Sequence, residues 1–237
     1  PRILHRFKLP HRNTGFTLVE LAIVLVIVAL LTSGLLLGVS AQRNAAENID
    51  AQRQMETIRE ALTGFALTRG RLPCPAQPGL ANTDANAGIE NCAQQHGVLP
   101  WVTLGLPETD PWGNRFTYFA SSKFTAALAA GTQASFTLLT GDPPDNAGTA
   151  NIKASSGSAG NIASDLPAVV VSHGSRGAGA RQPNGTQLAG AAGDELENAD
   201  ADLTFIAGQP SNNFDDLLTW VVPSILKSKM VAAGRLP

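Results

Sequence analysis

The sequence is short of charge. Asp, Glu, Lys and Arg make up 15% of its 237 residues and nearly cancel, to a formal net charge of −2. A chain so balanced lacks the basic excess that nucleic-acid binding draws on, because that affinity comes chiefly from neutralising phosphates. Cysteine is scarce too, at Cys74 and Cys92 alone. Even with His96 added, two thiols at irregular spacing do not make the paired motif of a zinc site. No Gly-x-Ser-x-Gly elbow surrounds His173-Gly174-Ser175, so a serine nucleophile there lacks its local scaffold. With 23 Gly and 15 Pro, the composition describes a loop-rich fold with a weakly charged polar surface rather than a helical bundle.

The charge that is present is unevenly placed. Arg2, Arg6, Lys8 and Arg12 fall in residues 1–15, which hold no acid, so the rest of the chain carries 13 basic against 19 acidic side chains. Directly after this basic head, residues 21–41 contain no charge at all. As a helix rising about 1.5 Å per residue, they span roughly 31 Å, close to the ~30 Å hydrocarbon core of a bilayer. A membrane helix is the expectation. Because the cations precede it and no comparable cluster follows, the head is expected in the cytoplasm and everything after Ala41 on the far side. The cysteines agree, since an even pair beyond the membrane favours one Cys74–Cys92 disulfide in an oxidising compartment. A removed signal peptide fits less well: the apolar run is too long, and the punctuation lies before it, at Asn13-Thr14-Gly15-Phe16. The chain begins at Pro1 rather than Met, which places the expected translation start upstream.

Glu20 stands out at the head of this run, between Val19 and Leu21. An acid at mid-bilayer costs on the order of 2.5–3.5 kcal/mol, so it calls for a partner or a role. A cut after Gly15 would supply one, by creating an α-ammonium on Phe16 four residues before the carboxylate. Brought together at membrane depth, within one chain or between neighbours, the two charges lower each other's desolvation cost.

Gly15-Phe16-Thr17-Leu18-Val19-Glu20, followed by about twenty apolar residues, resembles the N-terminal cleavage and methylation motif of type IV prepilins and type II secretion pseudopilins. The resemblance implies cleavage between Gly15 and Phe16 by prepilin peptidase, N-methylation of Phe16, and docking of Glu20 to the Phe16 amine of an adjacent subunit. It implies a structural, non-enzymatic subunit of a pilus-like filament, acting in protein secretion or pilus assembly. Its expected partners are other pilin or pseudopilin subunits, the peptidase, an inner-membrane assembly platform and lipid, with nucleic acid disfavoured. The expected location is the bacterial inner membrane, single-pass, with a periplasmic domain that later joins a periplasmic or extracellular filament. The alternative is a membrane-tethered periplasmic enzyme or binding module that never polymerises, with a pocket near His173 or Trp101. Prepilins of this kind often carry a mid-helix proline, and none occurs here between Phe16 and Gly70. Gly34-x-x-x-Gly38 has the spacing of close helix packing, although chance explains it equally well in so apolar a run.

Beyond the membrane segment, Ile49, Met55, Ile58, Leu62 and Phe65 continue a helical period, with Arg69-Gly70 as its stop. One helix from Phe16 to Arg69 would measure about 80 Å. Strands are expected at Arg115–Ala120, Ser135–Thr140, Leu166–Ser172 and Leu203–Ala207, with loops over 141–165 and 173–201. Asp215–Val222 reads as strand or helix, and Ser224–Ala233 as a short helix opened by Pro223. The expected fold is α+β, a long helix packed on a small antiparallel sheet. Its divisions are a leader (1–15), an assembly helix (16–41) and a periplasmic pilin-like domain (42–237). Asp110-Pro111-Trp112-Gly113-Asn114 reads as a turn, and it is similar to a stretch in major pseudopilins. His173 is expected to bond nearby backbone at a strand end. No cofactor is required by the sequence, but major pseudopilins bind calcium, and Asp142, Asp145, Asp194, Asp200 and Asp202 are loop acids that could supply oxygen ligands.

Overall fold

A computed structural model of the chain describes residues 15–138 and 147–236, without the side chains of residues 33–41. The leader cations, Asp142 and Asp145 lie outside these residues, as do the side-chain surroundings of Gly34 and Gly38. Two compact units divide at Ala46: Pro1–Ala46 and Glu47–Pro237. In chain order the elements are α1 (Leu18–Arg69), β1 (His96–Val98), α2 (Trp101–Leu104), β2 (Thr117–Ala120), α3 (Ser122–Thr125), β3 (Ala150–Lys153), β4 (Asn161–Leu166), β5 (Ala168–Ser172), α4 (Asp194–Glu197), β6 (Thr204–Ile206), β7 (Leu217–Val221) and α5 (Pro223–Ala232).

In the first unit α1 shows apolar side chains on every side, Leu18, Ile23, Val26 and Leu30 all being exposed. A helix with no polar face has nothing to orient it in water. Among the described residues no helix is long and apolar enough to cross a membrane. The apolar run continues from Leu21 into residues 33–41, whose side chains are outside the description.

In the second unit the same helix becomes one-sided. Ala51, Met55, Ile58, Leu62 and Ala66 are buried at steps of three and four, the spacing of one helical face. Ile49 and Phe65 sit beside this stripe rather than on it: Ile49 is exposed, and Phe65 lies under the Arg71 guanidinium at 5.5 Å. Ala51 and Ala66 complete the buried stripe in their place. The helix ends where Gly70 takes a left-handed φ of +73° and donates its N–H to Ala66 O. Arg235, from the far end of the chain, then donates to the carbonyls of Leu67 and Thr68. A cation at these orphan carbonyls opposes the negative end of the helix dipole.

Four strands form the first sheet in the order β1-β2-β5-β7, antiparallel throughout. Alternation sorts its side chains between two cores. Tyr118, Ala120, Ala168, Val170 and Val221 face Met55, Ile58 and Leu62 of α1 and Leu226 and Met230 of α5. Phe119, Val169 and Val171 face the other way, onto Ala150, Ile152, Leu166 and Phe205. Those last residues belong to a second sheet, β4-β3-β6, in which β3 and β6 run parallel. β5 is therefore covered on both faces, which explains why its residues Ala168–Val171 read as a continuous apolar run rather than an alternation.

The α+β class and the long helix on an antiparallel sheet are as expected, but there are two sheets instead of one small sheet. The segment 141–165, expected as loop, contributes β3 and most of β4, while 173–201 carries α4. β4 is largely exposed, so it lacks the apolar alternation that marks a strand in sequence. The expected strand Ser135–Thr140 does not form over its described residues. Phe136 stacks on Phe124 at 4.4 Å, and Ser135 N–H bonds Gly70 O, so this segment plugs the end of α1 instead.

Candidate functional site

At the processing motif, Gly15, Phe16 and Thr17 precede α1 without regular structure, and Phe16 is 80% exposed. Thr17 and Glu20 satisfy one another. The Thr17 N–H and hydroxyl both donate to Glu20 Oε2 at 2.9 Å, and Glu20 N–H donates back to Thr17 Oγ1 at 3.3 Å. This is a capping box, in which a Thr-x-x-Glu spacing meets the otherwise unpartnered amides of a helix start. Sequence reasoning took Glu20 as an acid in search of a cation and overlooked the threonine three residues earlier. In the single chain, its carboxylate already has a neutral partner.

The Asp110–Asn114 turn is more than local. Asp110 Oδ1 accepts the N–H groups of Trp112 and Asn114, while Gly113 takes φ +84°, which a side chain would strain. Asp110 Oδ2 accepts the Ser172 hydroxyl at 2.7 Å, tying the turn to the end of β5. Burial pushes the Asp110 carboxyl above its ordinary range, and these donors oppose the shift. The next residue, Arg115, passed unnoticed in the sequence. Its side chain is fully buried, pairs with Glu108 at 2.7 Å, donates to the carbonyls of Leu80 and Pro183, and stacks over Trp101 at 4.6 Å. Only its place just after the turn could have hinted at this. Cys74 and Cys92 form a disulfide, and beside it Arg71 holds Glu90 through two hydrogen bonds. The Cys74 N–H joins them on Glu90.

Residues 10–36 match the prokaryotic N-terminal methylation motif, and residues 38–131 match type II secretion system protein G. Over its first 131 residues the chain carries the prepilin motif and the protein G pattern of type II secretion pseudopilins. The pseudopilin is similar to the type II secretion system core protein G of Aeromonas hydrophila, with 27% identity over 115 residues, covering 48% of this chain and 77% of that protein. No solved structure matches it. As a structural, non-enzymatic family, it sets aside the tethered enzyme.

Beyond residue 131 this pseudopilin carries its own features. His173 is fully buried, but its partner is a side chain rather than backbone: Nε2 meets Thr117 Oγ1 at 2.8 Å. Burial lowers its pKa to about 4, so the ring is neutral at physiological pH. Ser175 is not aligned with it; its hydroxyl donates to Asp215 Oδ2. Of the loop acids considered for calcium, those described are occupied by backbone. Asp194 Oδ1 accepts Ser156 N–H, Asp200 Oδ1 accepts Asp202 N–H, and Asp202 Oδ1 accepts Thr204 N–H. Asp200 and Asp202 nonetheless approach Glu197 as an exposed group. A second, buried group was missed by sequence reasoning, namely Glu195, Asp215 and Asp216. Burial raises the Asp216 carboxyl to about 7 despite a hydrogen bond from Asn198.

Proposed function

We propose that this pseudopilin is made as a precursor, cut between Gly15 and Phe16 by prepilin peptidase, N-methylated on Phe16, and packed into a filament with other pseudopilins. Residues 1–15 are the cytoplasmic leader, 16–41 the single membrane-spanning and assembly helix, and 42–237 the periplasmic domain. The inner membrane, its lipids and an assembly platform receive the subunit before it enters the filament. The observation that carries this reading is the start of α1. The scissile pair lies in exposed, non-helical chain immediately before a capped helix, the kind of segment a protease can bind extended.

Cleavage would change the chemistry at that helix start. The Phe16 nitrogen becomes an ammonium one turn before Glu20, and a charged donor competes with the Thr17 hydroxyl for the same carboxylate. In lipid the ammonium has no water to fall back on, so a neighbour's Glu20 becomes its best partner. Glu20→Ala should leave membrane insertion and cleavage intact while reducing incorporation into filaments at least tenfold, as read by crosslinking of subunits in cells. Incorporation at the wild-type level would refute the pairing. Thr17→Val separates the two roles, since it weakens the cap but keeps the carboxylate and should still assemble.

A further inference from the structure

Arg71, Cys74, Glu90 and Cys92 meet where α1 has ended and before β1 begins. The disulfide between the two cysteines has unlike ends. Cys74 is fully buried, with Sγ 3.8 Å from the Thr125 carbonyl oxygen and 3.9 Å from Arg71 Nη1. Cys92 is exposed, and it lines an open trough of about 750 Å³ together with Gln94, Ser122, Thr125 and Ala126. Thiol–disulfide exchange is a displacement at one sulfur with the other as leaving group, so access decides which end reacts. Cys92 is open to attack from the trough. Cys74 is shut off by packed protein.

The buried end is also prepared to leave. Displacement at Cys92 puts a negative charge on Cys74 Sγ, and a guanidinium beside a sulfur stabilises its thiolate. Once that sulfur takes a proton, its S–H has the Thr125 carbonyl as acceptor. Glu90 works against release. A carboxylate oxygen of Glu90 and the two sulfurs all lie within 4.8 Å of one another, so its charge disfavours a thiolate at either end. Arg71 binds the same carboxylate at 2.9 and 2.8 Å, which divides the guanidinium between Glu90 and the sulfur.

We infer that this disulfide is a one-sided exchange site for small thiols, with Cys92 the sulfur attacked, Cys74 the sulfur released, and Arg71 and Glu90 setting the rate in opposite directions. The incoming thiolate forms a bond to Cys92 Sγ as the Cys92–Cys74 bond breaks, and the electron pair of the broken bond stays on Cys74. With a dithiol reagent, the second thiolate then attacks the reagent's own first sulfur and frees Cys92. The reagent ends as its internal disulfide, and two electrons have passed to the protein. In reverse, the Cys74 thiolate attacks the mixed disulfide at Cys92 and closes the bond, expelling the small thiol. The bond ties the end of α1 to the stretch before β1 across a separation of 18 residues, so the exchange opens or closes that covalent restraint.

The test mixes the full chain, native in detergent, with 2-mercaptoethanol, a thiol with no charge besides that of its reacting sulfur. Acid quenching, denaturation and alkylation trap the products, and fragmentation mass spectrometry locates the adduct. About tenfold more adduct is expected on Cys92 than on Cys74. An even split, or an excess on Cys74, would overturn the assignment. Opening by dithiothreitol should keep its rate in urea below the unfolding transition, whereas a rate that tracks the unfolded fraction would mean that the folded site does not react. Arg71→Met and Glu90→Gln break the same ion pair, so simple loosening would speed both. Electrostatic control instead slows opening in Arg71→Met by roughly three- to tenfold and speeds it in Glu90→Gln by a similar factor. Both variants moving in the same direction, or neither moving, would overturn the roles given to Arg71 and Glu90.

Discussion

Residues up to 131 and residues after it differ in kind. The first stretch follows a family pattern, with the methylation motif, a long helix and the turn at Asp110. The second lies outside the matched residues, yet it is not an appendage. β5 lies between β2 from the first stretch and β7 from the second, and it is buried on both faces. The two stretches are also stitched by single side chains: Asp110 to Ser172, Arg115 to Pro183 and Arg235 to Leu67 and Thr68. A sequence boundary is thus not a folding boundary, because strand order ignores it.

The strongest way to break this comparison is to attack β5. Val170→Asp places an unpaired carboxylate between α1 and the sheet, where Val170 is 1% exposed. A loss above about 4 kcal/mol is expected, with the second half of α1 and β2 losing amide-exchange protection together. If the first stretch folded alone, α1 and β2 would stay protected. Arg115→Met comes next. It strands Glu108 and two carbonyls, and about 3–5 kcal/mol should be lost in urea unfolding. Leu62→Ala, by contrast, empties the α1 face alone and should cost about 2–5 kcal/mol, set by how far the cavity collapses.

Smaller changes sharpen the comparison near the disulfide. Cys74→Ser with Cys92→Ser should lower stability by about 2–4 kcal/mol and leave the second sheet intact. Burial alone would raise the Glu90 carboxyl, but the Arg71 and Cys74 donors outweigh it and hold its pKa below the ordinary 4.5. That contribution is complete above pH 4.5 and disappears as pH falls through the lowered folded value. Glu90→Gln should remove this contribution, lowering stability at neutral pH and flattening the acid limb, with little change at pH values well below the lowered folded pKa.

Much of this was legible from pattern. Arg69-Gly70 marks the helix stop, and β2, β5, β6 and β7 fall inside or beside apolar runs because buried strands must be apolar. α5 opens at Pro223 for the same local reason that proline suits a first helical turn. β3 and β4 stayed hidden because their partners are each other and β6, with much of β4 in water, so burial left little trace in residue type. Ser135–Thr140 misled because Phe136 is apolar for a plug rather than a strand. Charged core residues were the hardest to see. Arg115, Glu195 and Asp216 look like surface residues in any local window, and only folding brings together the groups that hold or need them.

The central claim is tested most directly by intact mass and N-terminal analysis of the protein recovered from its own cells. The account predicts a mature chain beginning at Phe16 and carrying one N-methyl group. A mature chain that keeps Pro1–Gly15 ahead of Phe16 would contradict it.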